Sequence, residues 1–108
     1  MTETMKARLL SMKISNWESI PYSAGLRCPN GDDGYLTEKK SKVIGWCDTP
    51  SGLMKICECQ VCFSKFRYHG SHGSLETFFN SLEEDIVYQE EGLDAWSNLT
   101  LNRKLNGV

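Results

Sequence analysis

The sequence predicts an α+β fold: a small antiparallel sheet with one main amphipathic helix packed across it. Three observations carry that prediction. Two strand-like runs, Lys42 to Cys47 and Leu53 to Cys59, flank the turn-forming segment Thr49-Pro50-Ser51-Gly52. Further on, Leu75, Phe78, Phe79, Leu82 and Ile86 recur at helical spacing and form a single apolar stripe. The 108 residues, 40% of them hydrophobic and 24% charged, suffice for one modest core, so residues 1–108 are read as a single domain.

Taken in chain order, Leu9 to Ile14 reads as a short strand, and Asn16 to Ser19 leads into an irregular stretch broken by Pro21. Cys28-Pro29-Asn30-Gly31-Asp32-Asp33-Gly34 is dense in turn formers. The hairpin follows, and Phe63 to His69 then reads as a third strand or extended return, closed by Gly70-Ser71-His72-Gly73. Ser74 is a plausible cap for a helix over residues 74–91, and Gly92 should stop it. Beyond it, Leu93 to Trp96 reads as another turn and Leu99 to Leu101 as a short terminal strand.

Charge is distributed unevenly. The formal net charge is −2, which gives no global argument for nucleic acid or an anionic membrane as partner. Locally, Ser74 to Ala95 carries seven acids and no base, whereas Met1 to Gly73 carries ten bases and seven acids. The N-terminal residues lack an apolar run of signal-peptide length, and no later run is long enough to span a bilayer, so the expected location is the cytoplasm. In that reducing compartment five cysteines point to metal ligation or plain burial rather than to disulfides.

Most of the chemical information lies in Cys57-Glu58-Cys59-Gln60-Val61-Cys62. A Cys-x2-Cys pair at a strand end lets the backbone curl so that two thiolates reach one ion, while backbone N–H groups hydrogen-bond the sulfurs. Cys59 and Cys62 have that spacing, and Cys28-Pro29-Asn30 has the look of an earlier partner loop. On these residues, from about Arg27 to His69, the chain resembles the zinc-ribbon family with its rubredoxin-like knuckles, whose repeats commonly read Cys-Pro-x-Cys-Gly. The resemblance implies a zinc-ribbon-like hairpin over residues 27–69 and a structural zinc. The chain departs from the pattern at Gly31, which stands where the first knuckle should have its second Cys. The expected ligand set is Cys28, Cys57, Cys59 and Cys62. Asp32, Asp33, His69 and Cys47 compete with Cys57 for the fourth place, and loss of the ion with the cysteines kept as small apolar residues is the alternative.

Other constellations are weaker. Cys59, Cys62, His69 and His72 would complete a Cys2His2 set, but their spacing does not fit a finger whose helix carries both histidines. Cys62 and His69 would suit a nucleophile and base only if they met in space. No phosphate loop, His-Glu-x-x-His helix or nucleophile elbow occurs, so no enzymatic activity and no small-molecule substrate are expected. The expected function is a non-catalytic binding or adaptor module whose partner is another protein. Two alternatives stand beside it. One is a small inhibitor, of the type encoded by phages and mobile elements, acting through the acidic face of Glu76, Glu83, Glu84, Asp85, Glu90 and Glu91. The other is single-stranded nucleic-acid binding by Lys39, Lys40, Lys42, Lys55, Lys65 and Arg67 interleaved with Phe63, Phe66 and Tyr68.

Overall fold

The computed structural model describes residues 2–23, 41–69 and 74–105. In order they form helix α1 (Glu3–Ser11), a 3-10 turn (Trp17–Ser19), strands β1 (Ser41–Thr49), β2 (Gly52–Cys59) and β3 (Lys65–His69), and helices α2 (Leu75–Glu91) and α3 (Leu93–Leu105). The sheet is antiparallel with order β1-β2-β3, and helices pack on it, which is the α+β architecture the periodicities predict. Among the described residues, no helix is long and apolar enough to cross a membrane.

The hairpin closes where Pro50 and Ser51 cannot continue a strand and Gly52, at φ 122, adopts a backbone that side-chain-bearing residues avoid. Thr49 secures the turn, its hydroxyl donating to the Gly52 carbonyl and accepting from the Ser51 N–H. Strand alternation then sorts the side chains. Val43, Trp46, Cys57, Phe66 and the partly buried Tyr68 face Phe78, Phe79, Leu82 and Ile86 of α2, with Leu9 of α1 completing that core. Cys47, Met54 and Ile56 point to the other face and pack with Ile20, Ile14 and Trp17. Helix α2 starts at Ser74, whose hydroxyl accepts from Thr77 N–H at 3.2 Å, and ends at Gly92, φ 94.

Two expectations are corrected. Leu9 to Ile14 is not a strand: Glu3–Ser11 is helical, capped by the Thr2 hydroxyl, which accepts from Met5 N–H at 3.1 Å. Thr4 is its one β-branched residue, and Leu9 alone of the segment is buried, so a helix satisfies its backbone at little cost. Only the end of the expected strand pairs with the sheet, through a single parallel bridge between Lys13 and Trp46. Leu93 to Leu101, expected as a turn followed by a short strand, is likewise helical throughout, inside α3, because Gly92 ends α2 and allows a new helix to begin at once, with Trp96 N–H donating to the Gly92 carbonyl.

The N-terminal segment protects both outer edges of the sheet. On β1, Ile14 N–H donates to the Trp46 carbonyl at 2.8 Å and Trp46 N–H to the Met12 carbonyl at 3.3 Å. The segment then crosses the second face and reaches β3, where Arg67 N–H donates to the Pro21 carbonyl and Ser23 N–H to the Arg67 carbonyl. Edges covered in this way are poor templates for pairing with another chain. The crossing depends on Gly45, at the register shift of β1. A Cβ there would lie 2.7 Å from the Met12 carbonyl oxygen and 2.7 Å from Ile14 Cδ1. Gly45→Ala is therefore expected to cost about 1–3 kcal/mol in urea unfolding. An unchanged midpoint would mean that the crossing gives way without cost.

Candidate functional site

The β2–β3 connection runs from Cys59 to Ser64 and is closed by two backbone bonds, Cys59 N–H to the Ser64 carbonyl and Phe63 N–H to the Cys59 carbonyl, each 2.9 Å. Within it, Val61 N–H donates to Cys59 Sγ at 3.4 Å. Phe63 takes φ 62, the left-handed region that a knuckle normally gives to glycine directly after its second cysteine. Cys59 is fully buried and Cys62 half-buried. The turn is thus a tight, hydrogen-bonded connection that carries two cysteines, Cys59 and Cys62, three residues apart.

The other expected ligands fall elsewhere. Cys28, Asp32, Asp33 and His72 lie outside the described residues. Cys57 shares the Cys59 side of β2 but sits in the core against α2, hydrogen-bonded to Tyr68, and burial pushes its thiol up to about 12. Cys47 is on the opposite face, its thiol also raised by burial. His69 is exposed at the far end of β3, its ring edge-on to Tyr22 at 5.3 Å. Five strand residues at about 3.3 Å each separate it from the turn, so the Cys62–His69 pair is not assembled. Among the described residues, no group of three or more His, Cys, Asp and Glu side chains is placed to hold a metal ion.

Beside the knuckle side of the sheet, the edge of β1, the C-terminal half of α2 and the start of α3 enclose an open groove of about 1000 Å³. Its walls include Ser41, Tyr68, Asp85, Tyr88, Leu93 and Trp96. Tyr88 and Trp96 meet edge to face with ring centroids 6.2 Å apart. Gln89 forms part of the floor by standing in for a neighbouring strand: its amide accepts from Val43 N–H at 2.6 Å and donates to the Val43 carbonyl at 3.2 Å.

The acidic stretch is largely spent inside the molecule. Lys55, 7% exposed at its side chain, donates to Asp85 at 2.5 Å and to Ser81 Oγ at 2.7 Å. Arg103 of α3 forks between Glu83 and Glu84 and also donates to the Asn80 carbonyl. Arg8 of α1 pairs with Glu90, and that hydrogen bond holds the Glu90 carboxyl below its ordinary value. Burial raises Glu84 instead. Of the six acids read as one face, Glu76 and Glu91 form no such pair among the described residues.

The basic and aromatic set is dispersed too. Phe66 is core, Lys55 is buried in its pair, and Arg67 lies over the rings of Trp17 and Tyr22 with its Nε donating to the Ile20 carbonyl. Phe63 and Lys65 are exposed, whereas Lys39 and Lys40 lie outside the described residues. Sequence reasoning missed the four interhelical and helix–sheet ion pairs. One signal was present: alternation between Leu53 and Cys57 puts Lys55 on the covered face, where a cation requires a partner from the acid-rich helix.

Comparison with protein families, with curated proteins and with solved structures finds no match to this chain.

Proposed function

We propose that this chain is a non-catalytic binding module for a segment of another protein, with the groove between β1, α2 and α3 as its working surface and the Cys59–Cys62 turn as a structural thiolate knuckle. The observation that supports it best is the state of the groove's chemistry. Tyr88 and Trp96 offer aromatic area of the kind that anchors partners, while three ionisable side chains beside them are committed to structural pairs, Asp85 to Lys55, Glu90 to Arg8 and Cys57 to Tyr68, and Lys42 and Glu91 stand at the rim of the same groove. A thiol pushed up to about 12 is a poor nucleophile near neutral pH.

The Cys59–Cys62 turn fits the half-site that a ribbon knuckle supplies, and a bound zinc would lock the β2–β3 connection there. In a domain of this size such a lock contributes directly to folding. The expected result is about one zinc per full-length chain by elemental analysis after purification without tag or chelator, lost together with thermal stability in a Cys59→Ser, Cys62→Ser variant. A folded wild type without metal would remove the knuckle from the proposal. The groove is tested separately with pooled octapeptides in a 15N NMR titration. Saturable shifts at Tyr88, Leu93 and the Trp96 indole support it, and shifts confined to another face sink it.

A further inference from the structure

Helix α3 is attached in an unusual way. None of its residues is buried: Ala95, Trp96, Leu99 and Thr100 are half-buried along one face, and Leu93, Leu101 and Leu105 are 59%, 53% and 73% exposed. An ordinary surface helix is held by an apolar stripe sunk into the core. Here the connection to α2 is one residue, Gly92, at φ 94 with nothing within 4 Å of the position a Cβ would take. Near that hinge, Leu93 and Trp96 form one wall of the groove. At the other end of the helix, Arg103 holds on to α2 through Glu83, Glu84 at 2.6 Å and the Asn80 carbonyl at 3.0 Å.

The three partners of Arg103 all lie on α2, two of them adjacent in sequence, so the planar guanidinium fork grips a short stretch of helix. Glu83 is 9% exposed at its side chain while paired with Arg103 at 14%. Moving α3 away separates the pair but also returns both charges to water, so release does not strand an ion in the core. Elements with few buried apolar contacts populate the low-stability end of local opening.

We propose that α3 is a hinged wall of the groove, pivoting at Gly92 and latched shut by the Arg103 fork, so that a bound peptide segment is admitted by local opening of α3. The idea rests on the groove being a binding surface and names how access to it is controlled. It needs no change in the sheet or in α2, whose own core residues Phe78, Phe79, Leu82 and Ile86 pack on β1, β2, β3 and α1.

The test is hydrogen exchange on the full-length chain, comparing wild type with Arg103→Gln, Arg103→Lys and Lys104→Gln. Amides of Leu93–Leu105 should exchange about tenfold faster or more in Arg103→Gln, by an intermediate factor in Arg103→Lys and at the wild-type rate in Lys104→Gln, with the sheet and α2 unchanged. Acrylamide quenching in a Trp17→Phe background, where Trp46 is buried, should report greater access to Trp96 in Arg103→Gln. Loss of protection throughout the sheet would make Arg103 a support of the whole fold and overturn the latch. Faster exchange in α3 with unchanged quenching of Trp96 would overturn the moving wall. If both effects appear while octapeptides leave the groove unshifted, the latch stands and the groove as a binding surface fails.

Discussion

Asp85→Ala is expected to lower the free energy of unfolding by about 3 kcal/mol, and adding Lys55→Met to that chain should restore most of the loss. The Lys55 ammonium is held by Asp85 at 2.5 Å and Ser81 at 2.7 Å, with the Lys55 side chain only 7% exposed. Removing the carboxylate leaves a cation under α2 with one hydroxyl as partner. Removing the cation as well replaces an ion pair with a methionine that fills the same channel between Leu53 and Cys57. Asp85 is 35% exposed, which places the expected loss at the lower end of the range for buried pairs and lets Lys55→Met alone cost less than Asp85→Ala. Urea denaturation of the four chains gives the coupling directly. A loss below about 1 kcal/mol in Asp85→Ala would show that Lys55 reaches water instead.

The second large effect is alkaline. Burial is the main reason that the Cys57 thiol is pushed up from 9.0 to about 12, with the hydrogen bond from Tyr68 pulling weakly the other way. An unfolded chain releases that proton near pH 9 and the folded chain keeps it until about 12. The stability linked to Cys57 is therefore complete below pH 9 and is lost as pH rises from 9 to 12. At pH 11 the loss is about 2–3 kcal/mol from this group alone, as an order of magnitude. Tyr68, also raised by burial, adds a loss of the same sign from pH 10 upward. Cys57→Val should flatten the profile between pH 9 and 10 and leave only the Tyr68 loss above that, with stability at pH 7 within about 1 kcal/mol of wild type. Superimposable wild-type and Cys57→Val profiles would rule out Cys57 as the cause. At pH 8 the same burial should leave Cys57 unreacted toward iodoacetamide in the folded chain.

The structure changes what the charge pattern means. A run of acids with no base among them reads, in one dimension, as a surface offered to a basic partner. In the fold, bases distant in sequence come to meet it: Arg8 from α1, Lys55 from β2 and Arg103 from α3. Reversing Glu83, Glu84 and Asp85 to Lys would break two structural pairings with Arg103 and one with Lys55 before it tested any partner. The nucleic-acid reading meets the same difficulty at Lys55, Phe66 and Arg67, each committed to packing or to an internal contact.

The hairpin, the third strand, α2 and its two ends were legible because each is local. Pro50 and Gly52 carry their backbone restrictions with them, Ser74 caps the helix that follows it, and the stripe from Phe78 to Ile86 needs only the helical period, although Leu75, expected to open that stripe, lies in the first turn and is exposed. A tight connection after Cys59 was legible for the same reason, since its hydrogen bonds close within six residues. The helix over Glu3–Ser11 was open to the same reasoning through Thr2 and the near-absence of β-branched residues, but two adjacent leucines fitted a strand as well. What only the tertiary structure decided was partnership across distance: which cysteine faces α2, which crosses to the other side with Ile20, where the N-terminal segment closes the edges of the sheet, and which acid each base neutralises. Alternation along a strand tells which residues share a face, but not which face is covered or by what. That depends on segments 19 to 82 residues away, and on the low dielectric of the space they enclose.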